Sequence, residues 1–157
     1  MLRKIISGGQ TGADRAALDF AIDHGIPHGG WCPARRAAED GPIDLRYRLT
    51  ETPSEDYTQR TEWNVRDSDG TVVFSLGVVI TGGSRETVEL ARKHGRPCLH
   101  VCAEADADTA PSLVARFIRE HGIEVLNVAG PRASHEPGVG AFVMKTLKEV
   151  QLPHAAA

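Results

Sequence analysis

The chain has 157 residues, of which 41% are hydrophobic and 25% are charged, and its formal net charge is −3. This size and composition are typical of a soluble globular protein, so we expect residues 1–157 to form a single domain. The negative net charge and the 5% content of aromatic residues argue against a nucleic-acid binder, which needs a basic or base-stacking surface.

The chain shows no sign of a membrane or secreted location. No apolar run reaches the length of a transmembrane helix, and the first residues do not form a secretory signal. The three cysteines (Cys32, Cys98 and Cys102) are odd in number and have no CxxC spacing. We therefore expect a reduced, cytoplasmic protein that makes no contact with membranes.

Strand-like and helix-like stretches alternate along the chain. Residues 2–6 predict a strand, and residues 13–24 predict a helix that Gly25 ends. Residues 29–53 are rich in proline, glycine and charge, and we interpret them as a long functional loop. The later stretches predict, in order, a helix at 56–66, strands at 71–74 and 77–80 (a hairpin or one bulged strand), a helix at 84–94, a strand at 97–101, a helix at 109–121, a strand at 123–128 and a helix at 139–150.

This alternation predicts an α/β fold, a three-layer Rossmann-like parallel sheet with helices on both faces. In such sheets ligands bind beyond the carboxyl ends of the strands. Three glycine-rich turns are predicted at that edge, namely residues 7–12 (SGGQTG), 81–84 (TGGS) and 130–134 (GPRAS). Each turn precedes a helix-like stretch, and helix N-termini attract anions such as phosphate. The three turns therefore predict one site for a phosphorylated ligand.

The candidate binding residues come from these turns and from the long loop. Ser84 is also a good helix N-cap, and His135 is equally an anion donor or a plain loop residue. An arginine and a tryptophan could enclose a flat heterocycle, although both tryptophans could instead fill core space. The full set of candidates is Gly8, Gly9, Gln10, Thr11, Gly12, Trp31, Arg36, Gly82, Gly83, Ser84, Thr87, Arg132, Ser134 and His135.

Known catalytic and metal motifs are absent from the sequence. SGGQTG is neither a GxGxxG fingerprint nor a P-loop, because it lacks the lysine. We find no Ser/His/Asp order and no HExxH pattern, and the seven histidines are scattered. We therefore expect neither a protein-built metal site nor an evident catalytic group.

Four long segments resemble the molybdenum carrier family, and together they cover nearly the whole chain: SGGQTGADRAALDFA, GGWCPARRAAEDGPI, YRLTETPSEDYTQRTEWNVRDSDGTVVF and LNVAGPRASHEPGVG. That family is similar to lysine-decarboxylase-like phosphoribohydrolases and to nucleotide-sensing proteins. The resemblance implies a homo-oligomer, a dimer or a tetramer, that binds, protects and carries molybdenum cofactor (molybdopterin with its metal) without transforming it. Molybdoenzymes are the implied recipients. Where Arg35 stands, the family usually has glycine.

Two alternatives stay open at this point. The chain could be a nucleoside monophosphate phosphoribohydrolase in which Glu89 stabilises positive charge on the ribose. Against this, the turn at 82–84 lacks the next glycine of those enzymes and its threonine is displaced by one position. The second alternative is a non-catalytic nucleotide sensor.

Overall fold

A computed structural model describes residues 2–150 of the chain. In chain order, the elements are β1 (Lys4–Ile6), α1 (Ala13–Asp23), β2 (His28–Gly29), β3 (Trp31–Cys32), a single 3₁₀ turn (Ala34–Arg36), β4 (Thr50–Glu51), α2 (Tyr57–Arg66), β5 (Gly70–Ser75), α3 (Gly82–Lys93), β6 (Cys98–Cys102), α4 (Ala103–Asp106), α5 (Ala110–Glu120), β7 (Val125–Ala129) and α6 (Val139–Glu149).

Five strands form one parallel sheet in the order β2-β1-β7-β5-β6. The short strands β3 and β4 form a separate parallel pair. Every residue of β5 is buried, as expected for a strand that is covered on both faces. The predicted α/β sheet of Rossmann-like type is therefore confirmed.

The helices cover the two faces of the sheet according to the direction in which the chain moves. Helix α1 joins β1 to β2, and α5 joins β6 to β7, so in both cases the chain moves toward the β2 edge of the sheet. These two helices pack with α6 around the main hydrophobic core. Helix α2 leads into β5, and α3 joins β5 to β6, so here the chain moves toward the β6 edge. These two helices pack together over a smaller cluster of Val65, Leu90 and Ala91. Right-handed crossovers require this division of the helices between the faces.

Residues 77–80 do not form a strand, so that prediction is wrong. The strand β5 ends at Ser75, whose Oγ donates a hydrogen bond to the Gly77 carbonyl at 2.7 Å. The Leu76 N–H donates to Glu136 Oε1 at 2.6 Å, so a side chain takes a backbone group that a sheet would need. The apolar run that favoured a strand lies at the surface, where Val79 is 80% exposed.

The long segment 29–53 is more ordered than its composition predicts. It contains parts of three short strands and the 3₁₀ turn, and it buries Cys32, Ile43 and Tyr47 against Leu18 of α1. Within it Arg35 has a φ of 62°, a left-handed conformation that glycine adopts without strain. This backbone explains why glycine suits that position.

Candidate functional site

A cavity of about 400 Å³ lies beyond the carboxyl ends of β1 and β7. Its wall is formed by the turn after β1, one side of α2, the start of α3 and the turn after β7. All three glycine turns contribute to it, although unequally. Eight of the predicted site residues line it: Gly8, Gln10, Gly82, Gly83, Ser84, Thr87, Arg132 and His135.

The first turn is closed largely by contacts within the protein. The Ala13 N–H at the start of α1 donates to the Pro131 carbonyl at 3.3 Å, and a Cβ atom on Gly12 would lie 2.5 Å from the same oxygen. Thr11 Oγ1 accepts a hydrogen bond from the Ala133 N–H at 3.1 Å. Gly9, Thr11 and Gly12 are not among the cavity-lining residues. Thr11 and Gly12 join the first turn to the third, whereas Gly9 packs against Ile43 and Leu49 of the long segment. The prediction that these three residues face the ligand therefore has no structural support.

The second turn forms the start of α3 and is open. Its N-cap is Thr81, so the prediction of Ser84 as N-cap is wrong, and Ser84 lies within the first helical turn. A Cβ atom on Gly83 would meet no atom within 4 Å. Thr87 Oγ1 donates to the Gly83 carbonyl at 2.8 Å. This turn therefore presents the first N–H groups of α3, which carry partial positive charge, to the cavity.

Two arginines flank one tyrosine in the cavity wall. The guanidinium carbons of Arg60 and Arg132 lie 5.2 Å and 5.3 Å from the centre of the Tyr57 ring. A Cβ atom on Gly8 would lie 2.8 Å from Arg60 Nε, which shows that this arginine lies directly on the first turn. Sequence reasoning did not place Tyr57 or Arg60 in the site. Their spacing of three residues on a predicted helix, which puts both on one face, is the signal that could have found them.

Asp14 lines the cavity close enough to Arg60 to feel its charge, and it is 4% exposed. Burial raises its pKa to about 6, although the charge of Arg60 and a hydrogen bond from the Gln10 N–H both oppose that rise. The Gln10 N–H to Asp14 Oδ2 distance is 3.3 Å. The cavity therefore holds a carboxyl group that is costly to ionise, although Arg60 lies near it.

Gln10 connects the first turn to the long loop. Its Oε1 accepts from the Thr11 N–H at 3.1 Å and from the Glu39 N–H at 2.9 Å. Its Nε2 is buried and has no hydrogen-bond partner. Buried polar groups are usually paired, so an unpaired amide in a cavity wall is a group that a ligand or an ordered water would satisfy.

The third turn is held by Glu39. Ser134 donates to this carboxylate from its N–H at 3.3 Å and from its Oγ at 3.0 Å. Arg132 Nε lies 3.9 Å from Glu39 Oε2. Ser134 is thus a contact between loops and does not line the cavity, whereas Arg132 does.

Trp31 and Arg36 do not line the cavity, so the structure does not support their predicted role over the flat part of a ligand. Trp31 Nε1 donates to Asp67 at 2.8 Å, and its ring packs edge-on against Trp63 with 4.7 Å between ring centres. The Arg36 guanidinium donates to the carbonyls of Ile43, Asp44, Tyr47 and Leu49. Its charge is used to hold its own loop.

The two carboxylates on α3 differ in position. Glu89, on which the hydrolase alternative depends, is exposed and pairs with Arg85 at 3.4 Å. It does not line the cavity, whereas Glu86 does. Glu86 is half-buried, and its Oε1 is shielded from solvent with no hydrogen-bond partner. A catalytic role for Glu89 in this cavity therefore has no structural support.

Within residues 2–150 no three His, Cys, Asp or Glu side chains are grouped so that they could hold a metal ion. Over the same residues, no helix combines the length and hydrophobicity needed to span a bilayer.

The parallel three-layer fold with its cavity at the strand ends defines an α/β protein with a candidate small-molecule site. A model of the circularly permutated YpsA SLOG family matches residues 5–151, and the chain therefore belongs to that family. It is 48% identical to a protein from Syntrophus aciditrophicus SB whose crystal structure is described as that of a "Putative molybdenum carrier protein". The alignment covers 96% of each chain with a TM-score of 0.92, so the resemblance predicted from the motifs is confirmed.

A second solved structure, (E)-4-hydroxy-3-methyl-but-2-enyl diphosphate reductase, is 11% identical with a TM-score of 0.42. The comparison covers 94% of this chain and 59% of the reductase. This likeness is too weak to support any argument. No curated protein matches the chain.

Proposed function

We propose that this protein binds molybdenum cofactor in the cavity, protects it and carries it without transforming it. Two observations support the proposal. The 48%-identical relative is described as a molybdenum carrier, and the cavity joins an open helix N-terminus to two arginines. The second observation carries the most weight, because it is a property of this chain.

The two arginines of the cavity suit a ligand with anionic groups, although three carboxyl residues line it as well, namely Asp14, Glu86 and Glu136. Arg60 and Arg132 offer planar donor groups that match phosphate oxygens, and the first turn of α3 adds backbone N–H groups. Tyr57, whose ring both guanidinium groups approach, adds an aromatic side chain to the same wall. A phosphorylated pterin presents both an anionic group and a flat ring, so it fits this combination.

Unsatisfied polar atoms provide a test of the fit. Gln10 Nε2 and Arg60 Nε are buried donors without partners, and both belong to cavity-lining residues. They suit a ligand rich in acceptor oxygens. The volume of about 400 Å³ lies within the range of roughly 300–1,000 Å³ that is usual for small-molecule sites. The metal would arrive chelated by the ligand, so the proposal requires no cluster of protein metal ligands.

The experiment is a retention assay under anaerobic conditions. Protein is mixed with molybdenum cofactor released from a molybdoenzyme, separated from free ligand by gel filtration, and assayed for molybdenum and for phosphorylated pterin per chain. We expect wild-type protein to retain both and to slow their loss in air. Arg60→Ala and Arg132→Ala should each weaken binding by about 10- to 100-fold, since a charge-assisted hydrogen bond contributes roughly 1.5–3 kcal/mol.

Arg116→Ala is the matched control, because Arg116 is an exposed arginine of α5 that pairs only with Glu120 among residues 2–150. It should bind like wild type. Loss of retention in this control as well would mean that net charge and not the cavity holds the ligand. Absence of retention by wild-type protein, or retention of molybdenum without pterin, would contradict the proposal.

The remaining expectations stay proposals. A homo-oligomer, either dimer or tetramer, and molybdoenzymes as recipients follow from the family resemblance, whereas a cytoplasmic location follows from the cysteine content. The nucleotide sensor remains an alternative because arginines and a helix N-terminus bind any phosphorylated ligand.

A further inference from the structure

We infer that Glu86 recognises the 2-amino-4-oxopyrimidine edge of the bound ligand, so that the cavity selects pterins and guanines over compounds that lack the amino group. This inference rests on the proposed function, because it concerns the same cavity and assigns the part of the ligand that lies farthest from the anionic group.

The environment of Glu86 indicates a missing hydrogen-bond donor. Glu86 lines the cavity, and its Oε1 is shielded from solvent with no hydrogen-bond partner. Among residues 2–150 it forms no ion pair, although Arg60 and Arg132 line the same cavity. A shielded carboxylate oxygen without a donor costs free energy, which a ligand carrying N–H groups would recover.

Glu86 and the open start of α3 lie on one face of the helix. Glu86 follows Gly82 by four residues, and residues four apart are neighbours on a helix surface. The same wall of the cavity therefore carries the N–H groups that suit an anionic group and the carboxylate that suits a donor edge of the ligand.

The chemistry of the ligand decides which group supplies those donors. In a pterin, the ring N–H and the adjacent amino group form a pair of parallel donors that matches the two oxygens of a carboxylate. Guanine carries the same pair. Hypoxanthine keeps only the ring N–H, and adenine presents an acceptor in its place. Glu86 thus distinguishes rings that are otherwise nearly identical in shape.

The test uses two pairs of probes that differ only in the amino group. Guanosine monophosphate is compared with inosine monophosphate, and pterin with 4(3H)-pteridinone, by direct titration calorimetry and by competition against retained molybdenum cofactor. We expect wild-type protein to prefer the amino member of at least one pair by about tenfold or more, as loss of a hydrogen bond to a charged group implies. In Glu86→Gln, whose amide also donates, the preference should fall to about twofold or less.

Glu89→Gln is the matched control, since Glu89 lies on the same helix but is exposed and outside the cavity. It should keep the wild-type preference. A purely structural effect of Glu86→Gln would weaken both members of a pair equally and leave their ratio unchanged, and that result would overturn the inference.

The outcomes for the two proposals are separable. Retention of molybdenum cofactor with no preference in either pair, including no binding of any probe, overturns the role of Glu86 and leaves the carrier function standing. A preference that depends on Glu86 in a protein that does not retain the cofactor supports the edge recognition and rejects the carrier function. If Glu86→Gln fails to fold, the absence of any preference in wild-type protein still overturns the inference.

Discussion

The first and second glycine turns have similar sequences but different surroundings. Both contain two adjacent glycines, which precede α1 in residues 7–12 and form the start of α3 in residues 81–84. At the first turn, the helix start is occupied by the Pro131 carbonyl and the Gln10 N–H is bound by Asp14. At the second turn, the helix start is open to the cavity. The comparison teaches that a glycine-rich turn predicts a helix N-terminus, while the neighbouring loops decide whether a ligand can reach it.

The largest expected effect is on stability at the first turn. Gly12 has a φ of 82°, and a Cβ atom there would lie 2.5 Å from Pro131 O. Gly12→Ala should therefore lower the free energy of unfolding by roughly 3 kcal/mol or more, because both backbone strain and a clash with main-chain atoms oppose it. Chemical denaturation measures the change. A loss below about 1 kcal/mol would show that the contact between the first and third turns is soft.

A second prediction concerns the buried carboxyl of Asp14, whose pKa is raised from 3.8 to about 6. Its protonated form is the one that favours folding, so its contribution to stability is complete below pH 3.8 and is lost as pH rises through about 6. Asp14→Asn should therefore stabilise the protein at pH 8 by up to about 3 kcal/mol. The gain should shrink as pH falls toward 4.

Denaturation curves at several pH values between 4 and 8 test this prediction. Asp23→Asn, at the exposed end of the same helix, controls for loss of a negative charge from α1. A gain for Asp14→Asn that does not vary with pH would assign the effect to hydrogen bonding and not to ionisation. Lower stability at pH 8 would mean that the attraction between Asp14 and Arg60 outweighs the cost of burial.

The layers of the fold could be predicted because local patterns and topology agree. Alternating apolar runs and helical periods predict the sheet, and parallel strands bring their carboxyl ends to one edge. Residues 77–80 were mispredicted because their β-branched side chains favour a strand, while Glu136 binds the neighbouring Leu76 N–H from a distant part of the chain. Local propensity contains no information about such a partner.

Only those site residues that follow the carboxyl ends of strands could be predicted from the sequence. Gly82, Gly83 and Arg132 follow strands and line the cavity, as a parallel sheet requires. Tyr57 and Arg60 were left out of the predicted site because their spacing on α2 shows only that they share a helix face, and the packing of that face over the cavity depends on the rest of the chain. Arg36 was misassigned because four carbonyls of its own loop, 13 residues or fewer away in sequence, bind its guanidinium.

The smallest expected change in stability is that of Gly83→Ala at the second turn. This variant contrasts most strongly with Gly12→Ala at the first turn. A Cβ atom on Gly83 would meet no atom within 4 Å, and Gly83 has no positive φ. Gly83→Ala should therefore keep the free energy of unfolding within about 0.5 kcal/mol of wild type or raise it slightly, because alanine favours a helix. The added methyl group stands at the cavity wall beside the open N–H groups, so affinity for the phosphorylated ligand should fall several-fold.

Gly77→Ala is the matched control for this last variant. Gly77 also precedes α3 closely, but it lies outside the cavity, and a Cβ atom there would make only an ordinary contact of 3.8 Å with Glu104. We expect it to change neither stability nor affinity. If Gly83→Ala were as destabilising as Gly12→Ala, the two turns would share a structural role and the comparison would fail. If Gly83→Ala were stable and bound ligand like wild type, the anionic group would rest on the arginines alone, because no ligand would then approach the first turn of α3.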